Sequence, residues 1–164
     1  MVIQQKEELM ITISETKDAK LIARLSEEVF NLHASLHPKI FKQHNQAAVE
    51  KTLEFFFADP SCRGFVAKQG GVEIGYAVFL IKEAEETDFL HKRKLLYIDQ
   101  ICVLEKYQRT GAGKLLMEQA EKLAKENSID RITLDHWTSN VEAASYFRKK
   151  GYSPYREMLF KSVG

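Results

Sequence analysis

The stretch from residue 95 to residue 127 constrains the fold more than any other. Residues 95–103 form a mostly apolar run suited to a buried strand, whereas residues 114–127 carry Leu116, Ala120, Leu123 and Ala124 at helical spacing. Between them lies a short turn with glycines at 111 and 113. The hydrophobic period therefore changes from about two to about 3.6 across a few residues, which excludes an all-α or an all-β chain.

The same reading extends in both directions. Residues 10–14 alternate like an edge strand, and residues 18–35 place Leu21, Leu25, Val29 and Leu32 on one helical face before Pro38 ends it. A second helix over 46–58 presents Val49, Leu53, Phe56 and Phe57 and stops at Pro60. Strands at 64–69 and 72–82 flank Gly70-Gly71, a hairpin signal. Residues 82–94 are charged and aperiodic, a long turn. On the outer face of the 114–127 helix, Glu118/Lys122 and Glu121/Lys125 are oriented for i, i+4 contacts. A strand is expected over 131–137. Ser139 with Glu142 is a capping-box signature for a helix running to Lys150, closed by Gly151, and 157–161 supplies a last strand. The expected fold is mixed α/β (α+β), a mostly antiparallel twisted sheet flanked by helices in the order β α α β β β α β α β. With 164 residues and no linker-like tract, residues 1–164 read as a single domain.

Composition narrows the function. Lys and Arg number 24 against 23 Asp and Glu, a net charge of +1, so no clustered cationic surplus marks a nucleic-acid partner. The balance is uneven along the chain: residues 1–104 hold 13 basic and 15 acidic groups, residues 105–164 hold 11 and 8. The slightly basic part includes the glycine turn, as a site for a phosphorylated ligand would. Cys62 and Cys102 are too few for a disulfide framework or a zinc knuckle, no metal site is expected, and Cys102 reads as a small packed hydrophobe. The opening MVIQQKEELM has no leader-like apolar stretch and no segment is long enough to span a membrane, so no membrane partner is expected and the cytoplasm is the default setting.

Three phosphate-binding patterns compete for the turn Gln108-Arg109-Thr110-Gly111-Ala112-Gly113-Lys114. A P-loop requires Gly where the chain has Gln108 and Ser or Thr where it has Leu115. The dinucleotide fingerprint fits Gly111 and Gly113 but meets Leu116 at its third position. QRTGAG instead resembles the Q/R-x-x-G-x-G/A pyrophosphate loop of the GNAT superfamily of acyl-CoA-dependent N-acyltransferases. The run LLYIDQICVLEKYQRTGAGKLLMEQAEKLA is similar to that family's strand, loop and helix, and TSNVEAASYFRKKGY resembles its second signature, an Asn-started helix ending in Gly-aromatic.

The resemblance implies direct transfer of an acetyl group from acetyl-CoA to a primary amine. It places the pyrophosphate on Gln108, Arg109, Thr110, Gly111, Ala112, Gly113 and Lys114, and the pantetheine arm along the strand edge at Ile101 and Val103. It gives the Val103 backbone N–H to the thioester carbonyl, and Asn140, Phe147 and Lys149 to further cofactor contacts. An ammonium must lose a proton before it attacks. Asp99, the one acid in the 95–103 strand and four residues before Val103, on the same face by strand period, is the first candidate base; His136 on the following strand is the second. The family's thiolate-protonating Tyr falls at Phe147, with Tyr146 beside it, so either Tyr146 substitutes or solvent supplies the proton. Acceptor choice is expected to lie in residues 36–45 and in the turn before residue 95, where Glu83, Glu85, Glu86 and Asp88 either steer a cation or form a solvated tip. The leading acceptor is a small-molecule amine. A protein N-terminal or lysine amine, and a non-catalytic acyl-CoA-sensing module, are the alternatives. A homodimer through the edge of the last strand is admitted.

Overall fold

The computed structural model describes residues 10–163. Residues 1–9 of the stretch expected to carry no leader lie outside them. The described residues fall into two compact units, 10–134 and 135–163.

The first unit is a five-stranded sheet with helices on both faces. Its elements are β1 (Ile11–Thr16), α1 (Ala19–Leu25), α2 (Glu27–Leu36), α3 (Gln46–Ala58), β2 (Cys62–Gln69), β3 (Val72–Ala84), β4 (Arg93–Val103), a 3-10 turn (Glu105–Tyr107), α4 (Ala112–Glu126) and β5 (Ile132–Thr133). The strands lie in chain order, antiparallel up to β4 and parallel between β4 and β5. Gly70 and Gly71 both take positive φ, so the β2–β3 hairpin forms where the dipeptide predicts it. On one sheet face Ile22 and Leu25 of α1 and Leu53 and Phe57 of α3 pack with Val66, Tyr76 and Val78. Strand alternation turns Ala77 and Phe79 to the other face, against which α4 packs through Leu116, Ala120 and Leu123. Each fully buried large side chain here contributes about 1.5–3 kcal/mol.

The helix expected over 18–35 is two. Ser26, fully buried, donates from Oγ back to the Ala23 carbonyl at 2.8 Å, and this competition with the backbone breaks the helix without ending its path. The helix over 46–58 forms as expected because Asn45 Oδ1 accepts from the Ala48 N–H at 3.0 Å. On α4 the ion pairs formed are Lys114–Glu118 and Lys122–Glu126, in place of the Glu-first pairs expected.

The strand expected over 131–137 shrinks to Ile132–Thr133, paired with Leu96 and Tyr97. Its ladder ends just before the irregularity of β4 at residue 99, where added twist carries a strand away from its neighbour. His136 and Trp137 are therefore not strand residues.

The second unit holds α5 (Val141–Lys149) and the tail that follows. Asn140, not Ser139, caps α5: its Oδ1 accepts from the Ala143 N–H at 3.1 Å, and Gly151 closes the helix at φ +87°. Residues 157–161 form no strand, so the observed order lacks the expected final β. Met158, Leu159 and Phe160 are consecutive rather than alternating and stand exposed, a pattern with no single face to bury. The edge through which a homodimer was admitted is thus not a strand.

Candidate active site

β4 and the turn after it bring the predicted cofactor residues together through backbone. The Leu104 N–H donates to the Ile74 carbonyl at 3.0 Å, and bonded and non-bonded pairs alternate along an antiparallel ladder. Val103 opposite Gly75 and Ile101 opposite Ala77 are consequently non-bonded pairs, whose N–H and C=O groups point away from β3. They face the edge where β5 pairs only with Leu96 and Tyr97, so among the described residues this part of β4 has no strand beside it. Gln108 Nε2 reaches the Val103 carbonyl at 3.5 Å.

The turn itself is shaped for donors. Arg109 (φ +62°) and Gly111 (φ +100°) take left-handed backbone, and Thr110 Oγ1 donates to the Tyr107 carbonyl at 2.7 Å. The first intrahelical bond of α4 runs from the Leu115 N–H to Gly111, so the N–H groups of Ala112, Gly113 and Lys114 precede it at the positive end of the helix dipole. Ala112 is buried, anchoring this end, while Arg109 and Lys114 project outward; Lys114 sits 3.6 Å from Glu118. Backbone N–H groups at such a helix start form an anion site.

Asp99 is placed by a bulge. Val78 pairs with Gln100 and Phe79 with Ile98, so Asp99 is the extra residue of β4. The bulge corrects the expected face. Counting by two puts Asp99 with Val103, but Val103 lies on the Gly75–Ala77 face, whereas Asp99 acts electrostatically on Tyr76 and Cys62 of the opposite one. There a short polar chain reaches it: the Tyr76 hydroxyl donates to Gln100 Oε1 at 3.1 Å, and Gln100 Nε2 donates to Asp99 Oδ2 at 3.3 Å. Burial, with Cys102 and Asp99 nearby, pushes the Tyr76 phenol well above its usual range, keeping it a donor. Gln100 and Tyr76 were missed by the sequence reading. Their only signal was a glutamine beside the one acid of an apolar strand.

Residues expected to shape acceptor choice are largely occupied. Glu83 pairs with Lys94 at 3.0 Å and Glu85 with Lys92 at 3.1 Å, so much of the acidic turn is neutralised locally. In the 36–45 segment Phe41 packs against the rings of His33 and His37, and burial, then His37, lowers the His33 pKa.

Within the second unit the aromatic candidates gather around Phe147. Its ring stacks with His136 at 6.3 Å and meets Tyr146 and Tyr152 edge-on at 5.5 and 6.0 Å. His136 is exposed, and its Nδ1 lies 3.1 Å from the Trp137 carbonyl, which can only accept from it. The Tyr146 hydroxyl oxygen is buried and has no hydrogen-bond partner among the described residues; burial raises its pKa. A buried hydroxyl left unpaired costs about 1–3 kcal/mol. Lys149 is an exposed residue in the last turn of α5.

The model of the acetyltransferase (GNAT) family matches residues 26–152, through both compact units. The chain belongs to the GNAT acetyltransferase family. An acetyltransferase of Bacillus subtilis is 33% identical over 55 residues, 34% of this chain and 35% of that relative. An N-acetyltransferase from the pepI 3′ region of Lactobacillus delbrueckii subsp. lactis is 29% identical over 105 residues, 63% of this chain and 58% of the relative. The match thus spans about a third to three-fifths of these two relatives.

Solved structures agree on the GNAT fold. A tetramutant of the BH1408 protein from Bacillus halodurans superposes with a TM-score of 0.85 at 20% identity, covering 94% of this chain and 99% of that one. The aminoglycoside 6′-N-acetyltransferase AAC(6′)-IG of Acinetobacter haemolyticus gives 0.70 at 18% identity, covering 93% and 98%. The aminoglycoside N-acetyltransferase AAC(6′)-Iy, solved in complex with CoA, gives 0.69 at 17% identity, covering 94% and 95%. Within this family the mostly antiparallel sheet with flanking helices is the expected architecture, and the chain departs from the sequence expectation chiefly at its last strand.

Proposed function

We propose that the protein is an acetyl-CoA-dependent N-acetyltransferase acting on a primary amine of a small molecule, by direct attack with both substrates bound, and that residues 1–164 work as one domain. The observation that carries this reading is the run of outward-facing donors along β4 and the turn: N–H groups at Ile101 and Val103, then those of Ala112, Gly113 and Lys114. An amide-bearing arm ending in a pyrophosphate matches such a row, the arm as an added strand and the phosphates at the helix start. Gln108, Arg109, Thr110 and Gly111 shape that cradle. The reading also gives this cosubstrate the Tyr146 hydroxyl, which has no partner among the described residues.

In this reading the amine nitrogen bonds to the acetyl carbonyl carbon as the carbon–sulfur bond breaks. The Val103 N–H stabilises the carbonyl oxygen. Asp99 takes the proton that the nitrogen loses, with His136 in reserve through Nε2. Tyr146, kept protonated by burial, gives its proton to the departing thiolate. Asn140 keeps its Nδ2 for the pantetheine arm because only Oδ1 is used in capping. Phe147 packs beside the arm and Lys149 meets the nucleotide phosphate. The setting is the cytoplasm, which suits two free cysteines whose thiols burial pushes up to about 11 at Cys62 and about 12 at Cys102.

Thiol release from acetyl-CoA with a panel of amines tests the reading. Turnover is expected with at least one small amine. In Tyr146→Phe, kcat should fall about tenfold or more with CoA affinity unchanged. Tight CoA binding without turnover on any amine would instead favour an acyl-CoA-sensing module, the alternative that Phe147 at the family's tyrosine position keeps open.

A further inference from the structure

A hollow of about 520 Å³ opens in the first unit between the end of α3 and the strands β2 and β3. Its volume lies within the range of small-molecule sites, about 300–1,000 Å³. Cys62 and Leu80 form its floor, and Phe55, Phe56 and Ala58 of α3 form one wall. Cys62 pairs with Leu80 and Leu80 with Tyr97, so the three side chains stand in one row on one sheet face. Asp99, the bulge residue, is two positions beyond Tyr97. Asp99 does not itself line the hollow; it stands diagonal to Leu80 across the β3–β4 pairing.

Charges of both signs lie around the hollow. Burial, then Asp99 and Asp59, push the Cys62 thiol up while Lys17 pulls it down, and of these three charged groups Asp59 lines the hollow. Lys82 lines the β3 side with Nζ 3.6 Å from the centre of the Tyr97 ring. The lining itself thus carries one carboxylate, Asp59, and one ammonium, Lys82. A single ammonium can pair with a carboxylate there, whereas a polycation would bring additional ammonium groups against Lys82 and Lys17. The apolar floor and aromatic wall likewise offer few partners to a ligand rich in hydroxyls, whose burial would leave those groups unpaired.

We propose that this hollow is the acceptor pocket and that it takes a primary amine with a single positive charge on an aromatic or branched apolar body. The proposal rests on the acetyltransferase reading. The ammonium end reaches toward Asp99, and the body lies on Leu80 against Phe56. This acceptor differs from the aminoglycosides named for two of the structurally similar proteins.

Steady-state thiol release with 2-phenylethylamine, spermidine and neamine tests it. The kcat/KM for 2-phenylethylamine is expected to exceed those of the two polycations by about 100-fold. A polycation as the best acceptor overturns the proposal and leaves the acetyltransferase reading standing. Ala58→Trp fills the hollow from an exposed helix end, and should raise KM for 2-phenylethylamine about tenfold with KM for acetyl-CoA unchanged. An unchanged amine KM overturns the pocket. No turnover on any amine by a chain that binds CoA overturns the acetyltransferase reading itself. Calorimetry then decides the pocket separately: 2-phenylethylamine binding that Ala58→Trp abolishes supports it, and no binding, or equal binding by both proteins, overturns it.

Discussion

The two halves of β4 are made of different material. From Gln100 onward the strand offers backbone: the N–H groups of Ile101 and Val103 face an open edge, and the turn beyond continues with those of Ala112, Gly113 and Lys114. From Tyr97 to Asp99 it offers side chains, a ring under the Lys82 ammonium and a carboxylate held by Gln100. The first kind of site depends on φ and ψ, and most side-chain changes around it are absorbed. The second depends on single atoms. A cosubstrate held as proposed by backbone would therefore tolerate substitution around it, while base chemistry at a single carboxylate would not.

That contrast can be broken by substitution. Asp99→Asn removes the proposed base and should lower kcat by about 10² to 10⁴ with CoA affinity preserved; an unchanged pH–rate profile removes Asp99 from the chemistry. Gly111→Val forces a branched side chain into φ +100°, a strain of about 1–3 kcal/mol, and should weaken CoA binding by about 5–150-fold in calorimetry. Wild-type affinity in that variant would mean that the turn does not hold the phosphates.

Tyr76→Phe frees the Gln100 amide to rotate away from Asp99. A carboxylate that loses a donor to its charged form has a raised pKa, so the acidic limb of the pH–rate profile should move up, with kcat reduced about three- to tenfold and KM for acetyl-CoA unchanged. Loss of stability without movement of that limb would make the chain purely structural. Lys114→Ala is the smallest effect: the side chain is exposed and already near Glu118, so KM for acetyl-CoA should change by less than about fivefold. A hundredfold change would mean that charge, not backbone, holds this end.

The same division decides what was legible in the sequence. Glycine spacing is a backbone requirement written in the residues themselves, so the turn at 108–114 and the helix it opens were readable. So was α3, framed by the Asn45 cap and Pro60. The bulge at Asp99 was not, because it exists only in the pairing of β4 with β3, and strand period alone assigned the wrong face. Ser26 splits α1 from α2 through a hydrogen bond that a helical wheel does not contain. Residues 131–137 and 157–161 have strand-like composition, but a strand needs a neighbour to pair with, and composition does not supply one. The hollow at the end of α3 gathers residues from three separate elements, with no motif to announce it.

The extra residue in β4 also governs how roles may be carried between relatives. Upstream of position 99 odd numbers such as Tyr97 share a face with even numbers such as Cys102 downstream. Counting backward from the glycine turn in a protein without that insertion would exchange sheet faces for every residue before it, turning a position on the Tyr76 face into one packed under α4. Alignment across this strand is thus a question of parity before it is one of identity.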